Sequence, residues 1–323
     1  MSKTLNLNLT LHKKQGIAFQ SKAREILYGG ALGGGKSHLL RIAAIAWCLE
    51  IPNLKVYLFR RTEPEIIATH IEGPQGLRAL LHDLVQHNLV EIVKGEVRFH
   101  KTGSKIFLRH CKEPKDVWRY QSDEFHVLMI DEVTSFTEEM YRFLRTRVRM
   151  AGVTLPEHHK NSFPRIIVSG NPGNIGHSWV KRTWVDPAPP LEIHQATVDE
   201  GGMSRQYIPA KLADNPTLAT NSPEYADQVR GLGSPELVQA MLEGDWDVVA
   251  GCYFPEFLRS KHVVAPHSLP AHWPKFRSMD WGSASPFAVH WWAVSDGTDL
   301  YGCPVYPRGS LICYGEWYGA EAN

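Results

Sequence analysis

What this sequence lacks narrows it first. Its five cysteines, Cys48, Cys111, Cys252, Cys303 and Cys313, lie far apart, with no C-x-x-C pair and no partnering histidine pattern. That spacing speaks against a zinc cluster or a disulfide framework and fits a reduced, cytosolic setting. No apolar stretch reaches the length of a membrane span, and Met1 to Leu11 has no signal-like hydrophobic run, so no membrane is expected and the reading is a cytoplasmic protein. A large charge of either sign is also missing: the net charge is +1, so any contact with nucleic acid has to come from local clusters. Core-forming residues are plentiful, at 43% hydrophobic over 323 residues, enough for two domains.

The stretch around which the chain is organised is Ile26-Leu27-Tyr28, which breaks into Gly29-Gly30-Ala31-Leu32-Gly33-Gly34-Gly35-Lys36-Ser37-His38 and resumes as a helical run, Ser37 to Cys48. Gly30 to Ser37 fit the G-x-x-x-x-G-K-[ST] pattern between a strand and a helix, the context a phosphate-binding P-loop requires. Gly33, Gly34 and Gly35 allow positive φ and close backbone approach, so that successive amides point at phosphate oxygens. Lys36 supplies charge, the Ser37 hydroxyl can hold Mg²⁺, and His38 extends the nucleotide-binding set into the helix. Upstream, Gln15 is a candidate for pairing with both edges of adenine.

Further along, Leu54 to Phe59 reads as a buried strand ending in Arg60-Arg61, which either face ligand or form a solvated pair. Glu91 to Leu108 alternates around Gly95 and Gly103 like a small meander. Phe125 to Ile130 is an apolar strand that ends in Asp131-Glu132, a Walker B pattern. There Asp131 can orient hydrated Mg²⁺, and Glu132 stands where a general base polarises the attacking water. Thr137 to Met150 is predicted as a helix whose Arg142, Arg145, Arg147 and Arg149 either meet DNA phosphates or form a solvated face. Pro164 to Gly173 reads as a third buried strand ending in a polar turn, Ser169-Gly170-Asn171, and a position beside the P-loop strand would carry Asn171 toward the terminal phosphate as a sensor.

In this order the three motifs make the chain resemble the large subunit of tailed-phage terminases. Asp214-Asn215-Pro216, Tyr225, Leu232, Pro235 to Leu242, Gly244-Asp245-Trp246 and Gly251-Cys252-Tyr253-Phe254 look like that family's segment between motor and nuclease. The resemblance runs roughly from Leu11 to Glu316. It implies an α/β fold: an additional-strand P-loop ATPase sheet with helices on both faces (1–198), a linker subdomain (199–269) and an incomplete ribonuclease H-like nuclease domain (270–323). It implies Mg²⁺-dependent ATP hydrolysis coupled to movement of double-stranded DNA into a procapsid, within a ring-forming homo-oligomer partnered by a small terminase subunit and a portal, in the cytoplasm of an infected or lysogenic host. Arg119, ahead of the Walker B strand, matches the place where such terminases carry an arginine that reaches a neighbouring subunit, with Arg109 and Arg145 in reserve. Asp280, in Met279-Asp280-Trp281, matches the first nuclease metal ligand; a divalent pair needs more carboxylates, and Glu316 is the only nearby acid on a strand pattern. DNA cleavage by these residues alone is therefore not expected. Two rivals are a P-loop helicase or repair ATPase acting on single strands, and an inactive nucleotide-gated scaffold from a degraded prophage gene.

Overall fold

The computed structural model describes residues 7–233, 235–247, 262–281, 287–298 and 305–319. It forms two compact units, Met1–Leu258 and Arg259–Asn323.

The first unit is built on a nine-stranded sheet of order β3-β4-β5-β2-β6-β7-β1-β9-β8. Its strands are β1 (Glu25–Gly30), β2 (Lys55–Arg60), β3 (Val90–Val93), β4 (Glu96–Phe99), β5 (Lys105–His110), β6 (Val127–Ile130), β7 (Arg165–Gly170), β8 (Ile193–Gln195) and β9 (Ser204–Ala210). From β5 through β2, β6, β7 and β1 to β9 every neighbouring pair is parallel, while β3-β4, β4-β5 and β8-β9 are antiparallel. β1, β6 and β7 are buried along their whole length, as parallel strands covered on both faces must be. Alternate residues feed two cores. Ile26, Tyr28, Val56, Leu58, Val127 and Met129 pack on one face with Leu39, Leu40, Ala43 and Trp47 of helix α2 (Lys36–Glu50). Leu27, Tyr57, Phe59, Leu128 and Ile130 pack on the other face with Phe136, Met140, Leu144 and Trp184.

β7 lies between β1 and β6, the additional strand that the motif order implies. Because these strands run in parallel, the segments after β1, β2, β6 and β7 all leave the same edge of the sheet, where the crevice of an open α/β sheet forms. Helix α1 (Lys13–Gln20) precedes β1 and brings Gln15 to that edge.

Several expectations are adjusted. The helical run after the P-loop is longer than Ser37 to Cys48, spanning Lys36–Glu50. The sheet does not close at Val198, because β9 joins β1 through Glu25↔Arg205 to Gly30↔Ala210. The helix expected over Thr137 to Met150 covers Glu138–Arg145. It stops because Phe125 N–H donates to the Arg147 carbonyl and the Phe125 carbonyl accepts from Arg149 N–H, pulling that segment into a bridge. Its arginines are engaged within the chain: Arg142 with Glu138 and Glu200, Arg145 with Glu25, Arg147 with the Gln121 carbonyl and Arg149 with Glu124. The meander is present as β3, β4 and β5, turning at Gly95 (φ 73°) and Gly103 (φ 71°).

The second unit contains the antiparallel strands β10 (Lys275–Asp280), β11 (Phe287–Val294) and β12 (Leu311–Gly319). Asp280 pairs with Ala288, and His290 with Glu316, so by register Asp280 and Glu316 share a face. Asp280 is exposed. The motif Gly251-Cys252-Tyr253-Phe254 and the segment from Gly282 to Pro286 lie outside the described residues.

Candidate functional site

The turn between β1 and α2 is held in one shape by its neighbours. Gly33 (φ 71°) and Gly35 (φ 72°) occupy the left-handed region, where a side chain is strained. Gly34 does not. Its glycine requirement is spatial, since a Cβ there would lie 2.9 Å from that of Ala210. Gly30 likewise makes room for the Ala210 carbonyl, 2.9 Å from where its Cβ would be. The turn carbonyls are bound by side chains: Tyr28 Oη donates to Gly34 O at 3.1 Å, Gln15 Nε2 to Gly35 O at 2.8 Å and Asn215 Nδ2 to Gly33 O at 2.7 Å. With these carbonyls tied outward, the amides of the glycine run and the α2 N-terminus form an anion seat. Asn215 also caps the helix Pro216–Asn221, accepting from Leu218 N–H, which gives the Asp214-Asn215-Pro216 motif its structural role.

Lys36 Nζ donates to Ala31 O and to Asn171 Oδ1, both at 2.6 Å. β7 is what delivers Asn171 to this contact from beside β1. Burial lowers the Lys36 pKa, and the charges of Glu132 and Asp131 oppose that shift.

Asp131 is the hub. Fully buried, its carboxylate accepts from Ser37 Oγ at 2.9 Å, Ser169 Oγ at 2.6 Å and His70 Nε2 at 2.9 Å, with Arg60 Nε 3.1 Å away. Burial alone would raise its pKa; the His70 hydrogen bond, the His70 and Arg60 charges and the Ser169 hydroxyl overturn that and hold it well below the usual carboxylate range. Ser37 Oγ and Asp131 Oδ2 are oxygen donors 2.9 Å apart, the separation of neighbouring ligands around an octahedral ion with bonds of about 2.0–2.1 Å, so the pair fits Mg²⁺.

Glu132 differs from its neighbour. It sits at φ 57°, an uncommon conformation for a non-glycine residue, which turns its side chain out of the strand direction. Burial and the adjacent Asp131 charge raise its pKa, against Lys36 and Arg60. Adjacent acids thus divide the work: one is a fixed anion suited to a cation, the other a better proton acceptor.

Beside the turn opens a cleft of about 510 Å³ lined by His12, Gln15, Gly35, His38, Asn215 and Thr217, among others. Gln15 is buried, and its amide oxygen accepts from His12 N–H at 2.7 Å, so part of its hydrogen-bonding capacity is already used. His38 Nε2 lies 3.1 Å from the Thr10 carbonyl, and burial lowers its pKa.

The structure therefore brings together Gly30, Gly33, Gly34, Gly35, Lys36, Ser37, Asp131, Glu132 and Asn171, with Gln15 and His38 at the rim. It does not bring in Arg119, which is 63% exposed and paired with Asp116 at 3.2 Å. Asp280 belongs to the other unit. Sequence reasoning missed His70, whose segment Ile67–Ile71 is π-helical, and assigned Ser169 no role of its own. Arg60, left between ligand and solvent, belongs to the site: it also binds Thr69 Oγ1 at 2.7 Å.

Residues 27–261 match the family model described as terminase large subunit, T4likevirus-type, N-terminal. Among solved structures, the chain is similar to the large terminase of a thermophilic bacteriophage, with TM-score 0.54, 15% identity and coverage of 96% of this chain and 68% of that one. The same phage protein in complex with ATP-γ-S aligns with TM-score 0.53, 15% identity and coverage of 96% and 68%. Its ADP complex aligns with TM-score 0.54, 15% identity and coverage of 95% and 68%. These likenesses establish the fold. No curated protein matches.

Proposed function

This chain belongs to the terminase large-subunit family of the T4likevirus type, and from that premise we propose that it is the Mg²⁺-dependent, ATP-hydrolysing subunit of a motor that moves double-stranded viral DNA into procapsids. The observation that carries the reading is the convergence of Lys36, Ser37, Asp131, Glu132 and Asn171 at one sheet edge, with Lys36 joined to Asn171 and Ser37 to Asp131. The complexes of the thermophilic phage protein with ATP-γ-S and ADP favour a nucleotide as the ligand.

In this reading the turn amides and Lys36 hold the β- and γ-phosphates, and the adenine lies in the cleft beside Gln15 and His38. Ser37 and Asp131 would hold Mg²⁺, which when bound neutralises phosphate charge. Glu132 orients the attacking water and takes its proton. Asn171, joined to Lys36, is the sensor of the γ-phosphate that Lys36 holds. The signal has a path outward, because Leu32 N–H donates to Met241 O and Asn215 binds Gly33, so Asn215 and the helix Pro235–Glu243 touch the turn directly.

Partners in this reading are duplex DNA, a small terminase subunit, a portal and further copies of this chain in a ring, within an infected or lysogenic host cell. Arg119 is proposed to act on the neighbouring copy's nucleotide. Its exposure suits that role, and an arginine in trans is worth about 10³ to 10⁵ in rate. Mixing Arg119→Ala with Lys36→Ala chains should restore hydrolysis at hybrid interfaces, and no recovery at any ratio removes Arg119 from the site. In the second unit Asp280 is proposed as one ligand of a divalent pair, with Glu316 on the same face. Two carboxylates two strands apart do not by themselves complete the clamp that phosphodiester cleavage needs.

The test of the motor reading is ATP turnover with no DNA, with linear duplex and with single strands. Stimulation by duplex is expected; stimulation by single strands alone would favour the helicase reading.

A further inference from the structure

The opposite end of the P-loop helix carries a second constellation. Glu50 is the last residue of α2, and the short helix Glu157–His159 sets two consecutive histidines against it. His158 Nε2 lies 2.9 Å from Glu50 Oε1 and His159 Nε2 3.2 Å from Glu50 Oε2, and the ligand atoms of all three lie within 4.8 Å of one another.

The two rings lie close, with centroids 4.2 Å apart, and both Nε2 atoms face the one carboxylate. Exposed contacts between each ring and the carboxylate return only about 0–1 kcal/mol each. Two imidazoles and a carboxylate converging in this way are a donor set for one dication. A tetrahedral ion with bonds of about 2.0–2.1 Å sets its ligand atoms about 3.3 Å apart, and the three donors, one atom from each residue, already lie within 4.8 Å of one another. The last turn of a helix, with its unpaired carbonyls, also favours a cation.

The scaffold fixes one of the donors, His159, independently. Trp47 of α2 meets Phe163 edge-on at 5.2 Å, and Phe163 in turn meets His159 at 5.1 Å. His159 N–H donates to Pro156 O at 2.9 Å, and its carbonyl accepts from Ser162 N–H at 3.0 Å.

We propose that Glu50, His158 and His159 form a binding site for a Zn²⁺-class divalent ion, with water in the fourth position, distinct from the Mg²⁺ site at Ser37 and Asp131. Its effect is structural: it ties the C-terminal end of α2, the helix that begins at the nucleotide, to the segment leading into β7. Two ring nitrogens and one carboxylate suit Zn²⁺ or Co²⁺ and not Mg²⁺, which prefers oxygen and keeps its water.

The experiment uses the full chain, freed of metal and titrated with Co²⁺ and then Zn²⁺. The parent should develop the intense visible bands of tetrahedral Co²⁺, lose them to Zn²⁺, and melt about 5–10 °C higher at Zn²⁺ a hundredfold above its Kd. His158→Ala and Glu50→Gln change exposed side chains, so each should melt near the metal-free parent while losing both the bands and the Zn²⁺ shift. A parent with neither response, or variants that keep both, would overturn the proposal.

Discussion

Glu132→Gln should bind ATP about as well as the parent and hydrolyse it about 10²- to 10⁴-fold more slowly, the range for removing a positioned general base. The neighbouring acids make the prediction specific. Asp131 is engaged by Ser37, His70, Ser169 and Arg60 and held ionised, whereas Glu132 has Arg60 only at 3.9 Å and is pushed toward higher pKa. The amide of Gln fills the same volume and cannot take a proton, so ground-state binding is preserved and only the transition state suffers. The check is equilibrium binding of a fluorescent ATP analogue beside single-turnover hydrolysis. Parental turnover in the variant would move the base elsewhere in the site.

Lys36→Ala should fail earlier, losing nucleotide affinity together with turnover, because its ammonium serves phosphate charge in ground and transition states alike. The substitution has a second effect that Glu132→Gln lacks. Lys36 is buried and donates to the Ala31 carbonyl and the Asn171 amide oxygen, and removing it leaves two buried acceptors without that donor, at about 1–3 kcal/mol each where water does not reach. A lower melting temperature is therefore expected. Lys36→Met, which keeps the stem without the charge, separates the contributions: it should recover part of the stability and none of the binding. Binding at the parental Kd in both variants would mean that the phosphates sit elsewhere.

What was legible in the sequence was local in character. Glycines with a following Lys-Ser, an apolar strand ending in two acids, and a strand ending in Ser-Gly-Asn each carry their geometry within about ten residues, and β7 placed between β1 and β6 then assembles them. His70 was hidden because nothing in Ala68-Thr69-His70-Ile71 points to Asp131; only a π-helical turn and the tertiary contact do. β9 was hidden for another reason. Its sequence, Ser204-Arg205-Gln206-Tyr207-Ile208-Pro209-Ala210, has a proline and two strongly polar residues where a buried parallel strand is usually apolar. Arg205 is accommodated because it pairs with buried Glu25 at 2.5 Å, one strand away. That pairing also explains why a sheet strand beyond Val198 was not legible, since a buried charge is interpretable only once its partner is known. The arginines of Glu138–Arg145 and the stretch after it show the reverse: a charge run suggestive of DNA contact that the fold spends on its own acids and carbonyls.

One measurement bears most directly on the motor reading: phosphate released from ATP by the purified parent chain, with Mg²⁺ present and with Mg²⁺ removed by a chelator. Release that requires Mg²⁺, and returns when Mg²⁺ is restored, is the result the pairing of Ser37 with Asp131 and the placement of Glu132 predict. A chain that binds ATP yet releases no phosphate at any Mg²⁺ concentration, with duplex DNA or without it, would contradict that reading and leave a nucleotide-gated scaffold in its place.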